Sequence, residues 1–238
     1  MKKAIIVGAS SGIGRGLAKL LVENDYIVGI TGRRTHLLEE IQNENPGQYI
    51  IKTFDVADSQ SISEHLTVLT QELGGLDLLV ISSGTGDLNE NLDFDIEKRT
   101  IDTNVSGFTA IADWAFNYFQ NQKYGHLVAI SSIAGLRGSR SAPSYGASKA
   151  YQINYLQGLR QKACNIKAHI TITDIRPGFV DTRMAQGEGK FWVAPVDKAS
   201  RQIFKAIKAG RKVVYITNRW RPIAYLLRML PDWVYNKM

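Results

Sequence analysis

Seven short runs rich in apolar residues, most of them continuous blocks, leave this chain few folds to choose from. They are Ala4–Val7, Tyr26–Ile30, Tyr49–Phe54, Leu76–Ile81, His126–Ile130, Ala168–Ile175 and Lys212–Ile216. β-Branched residues are frequent in them. A strand that is apolar at successive positions has both faces covered, as in a parallel sheet held between two helical layers. Amphipathic stretches lie between the runs, at Ile13–Glu23, His36–Gln42, Ile62–Leu73, Ile96–Phe119, Tyr145–Ala163 and Lys198–Ala209. This alternation predicts an α/β fold: a Rossmann-like, doubly wound parallel sheet of about seven strands, with helices on both faces. No repeat, low-complexity tract or linker interrupts it, so residues 1–238 read as a single domain.

Composition narrows the class further. A chain of 238 residues with 44% hydrophobic residues can bury a sizeable core. Its single cysteine, Cys164, excludes an internal disulfide and a cysteine-based metal site. His36, His65, His126 and His169 form no ligand grouping, so no metal is expected. The cysteine usage fits a reducing compartment, and a cytoplasmic location is the expectation. The net charge of +7 suits an anionic partner. The Lys and Arg residues are scattered, however, with no run of the nucleic-acid-binding kind. The opening Met1–Val7 breaks at Gly8, too soon for the apolar core of a signal peptide, and no apolar run is long enough to span a bilayer.

Gly8-Ala9-Ser10-Ser11-Gly12-Ile13-Gly14 follows the first strand directly and opens a helix. Glycines at this place let the backbone turn tightly and approach a pyrophosphate at the positive end of the helix dipole. The position and the three glycines favour dinucleotide binding over a plain strand-to-helix turn. An acidic residue ending the second strand would hold the adenosine ribose hydroxyls and repel a 2′-phosphate. Here the strand runs into Gly32-Arg33-Arg34, where arginine can clamp that phosphate, so NADP(H) is the expected cofactor. Asp55, just past the third strand, either bonds the adenine amino group or caps the segment that follows.

Tyr145 and Lys149, four residues apart, share one helix face. A phenol with its ordinary pKa of about 10 is a poor proton carrier at neutral pH, and a neighbouring ammonium favours the phenolate. The chain also has Asn104 in Ile101–Gly107 and Ser132 in Ile130-Ser131-Ser132-Ile133-Ala134-Gly135. With the Gly8–Gly14 loop, Asp55-Val56 and Pro177-Gly178 with Thr182, these residues keep a characteristic order and separation. In them the chain resembles the classical short-chain dehydrogenase/reductase family, from about Lys3 to Thr182.

The resemblance implies a role for each matched position. Tyr145 is the general acid in reduction and the base in oxidation. Lys149 holds the nicotinamide ribose hydroxyls and depresses the Tyr145 pKa. Ser132 bonds the substrate oxygen, and is preferred to Ser131 because the family's serine stands three residues before a glycine, here Gly135. Asn104 bends its helix and holds a water that relays protons through Lys149. The Gly8–Gly14 loop, Asp55-Val56, Gly84, Pro177, Gly178, Val180 and Thr182 complete the cofactor site. Two positions depart from the family's pattern. Val7 stands where Thr is common, and Ile81-Ser82-Ser83-Gly84 stands where Asn-Asn-Ala-Gly is common; Gly84 is retained.

Beyond Thr182 the motifs end. Residues 183–195 carry Ala185, Gly187 and Gly189 beside Phe191 and Trp192. The resemblance makes this stretch a lid over an apolar carbonyl or alcohol substrate, and a plain surface loop is the alternative. The tail, 219–238, pairs an apolar segment, Ile223–Leu230, with Trp220, Trp233, Arg219, Arg221 and Arg228. Three readings stand: packing on its own domain or a second subunit, peripheral contact with a membrane, or a wall of the substrate pocket. The resemblance also implies a homodimer or homotetramer assembled through the long helices. The function expected is carbonyl–alcohol oxidoreduction with NADP(H). A non-catalytic dinucleotide sensor on the same fold is the alternative, disfavoured by the intact Asn104, Ser132, Tyr145 and Lys149.

Overall fold

The computed structural model describes residues 1–184 and 191–237. Seven parallel strands form one sheet in the order β3-β2-β1-β4-β5-β6-β7. They are β1 (Lys2–Val7), β2 (Tyr26–Gly32), β3 (Tyr49–Thr53), β4 (Leu78–Ile81), β5 (Tyr124–Ile130), β6 (His169–Pro177) and β7 (Val213–Ile216). The helices are α1 (Gly12–Val22), α2 (Thr35–Glu44), α3 (Ile62–Leu73), α4 (Phe94–Ile101), α5 (Phe108–Gln122), α6 (Pro143–Cys164), α7 (Val196–Lys208), α8 (Trp220–Met229) and α9 (Asp232–Tyr235).

The continuous apolar runs have the cause inferred from the sequence. Successive side chains of a strand point to opposite faces. In β1, Ala4 and Ile6 join one core with Leu17, Leu21 and Ile203 of α1 and α7. Ile5 and Val7 join a second core with Leu66 of α3, Phe108 and Phe116 of α5 and Leu156 of α6. Both layers are mainly apolar, which fixes the sheet between its helices and leaves the carboxyl ends of the strands as the open edge.

The single helix expected over Ile96–Phe119 is interrupted. α4 passes into a π turn at Asp102–Gly107 before α5 begins. The Asn104 side chain explains the break. It is wholly buried and clamps the loop after β4, accepting from Thr85 N at 2.9 Å and donating to Thr85 O at 2.7 Å.

The tail packs on its own domain. Trp220 and Ala224 are buried, Arg137 donates to Leu230 O at 3.0 Å and pairs with Asp232, and Tyr235 donates to Gly138 O. Pro222 lies in the first turn of α8, where its missing N–H has no helical partner to lose. Tyr225, Leu226, Met229 and Trp233 remain exposed. No helix among the described residues is long and apolar enough to cross a membrane.

Candidate active site

The sheet order reverses at β1, between β2 and β4, and the loop Gly8–Gly12 sits in the crevice this opens. Gly8 has φ +91°, and a Cβ built on it would lie 2.5 Å from Ser83 N. Glycine is therefore required both by the backbone angle and by the close approach to the end of β4. Ile13 packs against the core and Gly14 is buried in α1, so the loop is fixed from below. Thr182 reaches over the loop, its Cγ2 being 3.1 Å from the Cβ position of Gly12. The Ser83 hydroxyl is buried with no partner.

Arg34 folds onto this loop and donates to Ser10 Oγ at 2.7 Å and Ser11 Oγ at 3.0 Å. Arg33 pairs with Asp55 at 3.4 Å, both exposed. Asp55 also accepts from Ala57 N at 3.0 Å and so caps the segment that follows. Val56 packs against the core beside it. Pro177 ends β6, Gly178 N donates to Ile216 O at 2.7 Å, and Val180 is buried. The glycine loop, Arg33, Arg34, Gly84 and the Pro177–Thr182 turn thus all lie along the carboxyl edge of the sheet.

Ser132, Tyr145 and Lys149 meet at the same edge. Ser132 follows β5 and caps a 3-10 turn, Ile133–Leu136, its Oγ accepting from Ala134 N at 3.1 Å. That contact leaves the Ser132 O–H free to donate, and Ser132 acts on the Tyr145 phenol by opposing the rise in its pKa. Tyr145 and Lys149 stand one turn apart near the start of α6, the ammonium 5.8 Å from the centre of the phenol ring. Lys149 is 3% exposed and donates to Ile130 O at 3.1 Å and to Gln152 Oε1 at 3.0 Å. Burial draws its pKa down from 10.5 to about 8, against the opposing pull of the Asp174 carboxylate.

One expectation needs correction. The Tyr145 phenol does not lie below its ordinary pKa in this arrangement, although Lys149 stands near its ring. Burial holds Tyr145 above its ordinary value, and the opposing lowering comes from the Ser132 hydroxyl. The ammonium is instead engaged by the Ile130 carbonyl and the Gln152 amide. Gln152 Nε2 donates to Asn104 O at 2.9 Å while its Oε1 accepts from Lys149, so one side chain links the two. The Asn104 amide does bend its helix as expected. It also donates to Ser148 Oγ at 3.0 Å, which donates to Tyr145 O at 2.8 Å, and so ties the π turn to the catalytic helix.

Three contributors were not found from the sequence. Asp174 is fully buried under Lys149, ion-paired with Arg176 at 2.6 Å and accepting from Ser131 Oγ. Ser131 is thereby structural, as expected. Gly86 backs the phenol, and a Cβ there would lie 2.3 Å from Tyr145 Cδ2. Gln152 is the third. The spacing of Gln152 to Lys149 on one helix face was a usable signal. The other two depend on contacts between distant segments.

Phe179, Phe191, Trp192 and Trp220 form an aromatic cluster beside Gly178, with Phe191 and Trp220 ring centres 5.1 Å apart. Trp220 therefore packs the tail against the turn that follows β6. Ala185, Gly187 and Gly189, in the stretch expected to form a lid, lie outside the described residues.

Comparison with known proteins places these features in a wider set. A family model described as short chain dehydrogenase matches residues 2–191. An uncharacterized oxidoreductase of Myxococcus xanthus is 34% identical over 188 residues, covering 77% of this chain and 74% of that protein. One of Staphylococcus aureus is 32% identical over 184 residues, covering 76% and 79%. Among solved structures, ElxO with NADP bound superposes with a TM-score of 0.79 at 25% identity, covering 90% of this chain and 96% of that one. A short-chain dehydrogenase/reductase from Burkholderia phymatum in complex with NAD has a TM-score of 0.84 at 18% identity, covering 94% and 92%.

Proposed function

Because this chain belongs to the short-chain dehydrogenase family and is thereby an oxidoreductase, we propose that it interconverts a carbonyl compound and an alcohol with NADP(H), Tyr145 carrying the proton. The observation that supports this reading is the meeting of Ser132, Tyr145 and Lys149 beside the Gly8–Gly14 crevice.

The residues present fit a dinucleotide. The close-packed Gly8 turn, the first turn of α1 and the unpartnered Ser83 hydroxyl suit the diphosphate and a ribose. Gly84, Lys149 and the turn Pro177–Thr182 would hold the nicotinamide half. When bound there, the cofactor supplies or accepts the hydride. Ser132 donates to the substrate oxygen and stabilises the charge that gathers on it. Tyr145, kept protonated by burial, gives that oxygen its proton in reduction and takes it back in oxidation. The Lys149 cation stabilises the phenolate as the proton leaves.

The preference for NADP(H) rests on Arg33 and Arg34, with no carboxylate ending β2, and on Arg34 already aimed at Ser10 and Ser11. The NADP-bound structure of ElxO is in keeping with it. Charge-assisted hydrogen bonds contribute about 1.5–3 kcal/mol each. Arg33→Ala and Arg34→Ala should each weaken NADPH roughly ten- to hundredfold, with a much smaller effect on NADH. Equal losses for both cofactors, read by fluorescence titration, would remove the arginines from phosphate recognition. The Phe179–Trp220 aromatic cluster suits an apolar substrate.

A further inference from the structure

The Gln152 amide lies at the centre of the buried network, between a main-chain carbonyl and the reactive lysine. We infer that Gln152 is a positioning residue for Lys149, fixing the ammonium to the π turn. This inference rests on the functional reading above.

Gln152 is 1% exposed and stands one helical turn after Lys149, on the same face of α6. Both ends of its amide are bonded, Nε2 to Asn104 O at 2.9 Å and Oε1 from Lys149 Nζ at 3.0 Å. Only one orientation of an amide makes both contacts attractive, NH2 toward the carbonyl and C=O toward the cation. The π turn presents the acceptor: the Phe108 N–H bonds Val105 O, and the Asn104 carbonyl takes the glutamine.

A lysine stem is flexible, and a buried ammonium needs acceptors. Gln152 and Ile130 supply two, holding the charge at one place near the phenol ring. The titratable groups facing Lys149 among the described residues are Tyr145 on its own helix and Asp174 on β6, the latter paired with Arg176.

Two substitutions separate positioning from packing. Gln152→Leu keeps the volume and removes the acceptor, so the Lys149 charge loses support and its titration midpoint should fall by about one pH unit. Gln152→Glu puts an anion against the ammonium and should raise the midpoint by at least as much. The midpoint is read directly, in protein without cofactor, from the ε-carbon resonance of 13C-labelled lysine, assigned by comparison with Lys149→Met. In the working enzyme the alkaline limb of kcat/KM should move in the same two directions. A packing role predicts lower thermal stability in both variants with neither midpoint displaced, and that result would overturn the proposal. Wild-type protein that oxidises NADPH while the variants titrate normally refutes the Gln152 role alone; wild-type protein with no cofactor affinity refutes the functional reading beneath it.

Discussion

Tyr145→Phe is expected to lower kcat/KM for carbonyl reduction by about a hundred- to ten-thousandfold while leaving NADPH affinity largely unchanged. That is the range for deleting a positioned proton-transfer group. The substitution removes one oxygen. The ring remains packed over Gly86, where even a methyl group would not fit, and Lys149 keeps its contacts with Ile130 and Gln152. The cofactor crevice loses nothing. Steady-state kinetics with a reactive carbonyl, alongside titration with NADPH, separate the two effects. A variant with near-full activity would show that the proton comes from elsewhere.

The second large effect is on stability. Asp174 is wholly buried, its carboxylate bonded to Arg176 Nε at 2.7 Å and Nη2 at 2.6 Å and to the Ser131 hydroxyl. Arg176 is 5% exposed and donates as well to the Tyr215 hydroxyl at 3.1 Å. Asp174→Asn preserves the shape and deletes the charge, leaving a guanidinium buried without its anion. Breaking a buried pair in this way costs about 3–5 kcal/mol, which in a domain of this size lowers Tm by roughly 6–20 °C. Activity should suffer too, because the Asp174 charge opposes the burial that depresses the Lys149 pKa. Replacing both partners with apolar residues, Asp174→Leu with Arg176→Met, should recover much of the stability but not the Lys149 charge. A loss in Asp174→Asn below about 1 kcal/mol, measured by urea unfolding, would mean that the pair is already solvated.

The fold was legible because its cause is local. Continuous apolar runs such as Ile5-Ile6-Val7 require cover on both faces, and each of the seven became a strand to within a few residues. The glycine loop was legible for a similar reason, since Gly8 and Gly12 answer to backbone angles that their own turn imposes. Asn104, Ser132, Tyr145 and Lys149 were found together because their order matches a known family, and the structure brings the last three to one place. What the sequence concealed is what depends on the third dimension. Gln152 reads as one more polar helix residue until the Asn104 carbonyl is seen opposite it. Gly86 reads as a loop glycine until the Tyr145 ring is found against it. Asp174 sits in a run that reads as a strand, with its ion partner Arg176 only two residues on; what the chain does not announce is Ser131 and Lys149 beside it. Arg33 and Arg34 were equivalent as letters; the structure sends one to Asp55 and the other to the serines of the glycine loop.

Calorimetric titration of the wild-type protein with NADPH and with NADH bears most directly on the central claim. Tighter binding of NADPH is predicted, followed by loss of its nicotinamide absorbance when an apolar carbonyl compound is added. Binding of neither cofactor would contradict the account, and would make Val7 and Ile81–Ser83 disabling departures in a protein that keeps the fold without the chemistry.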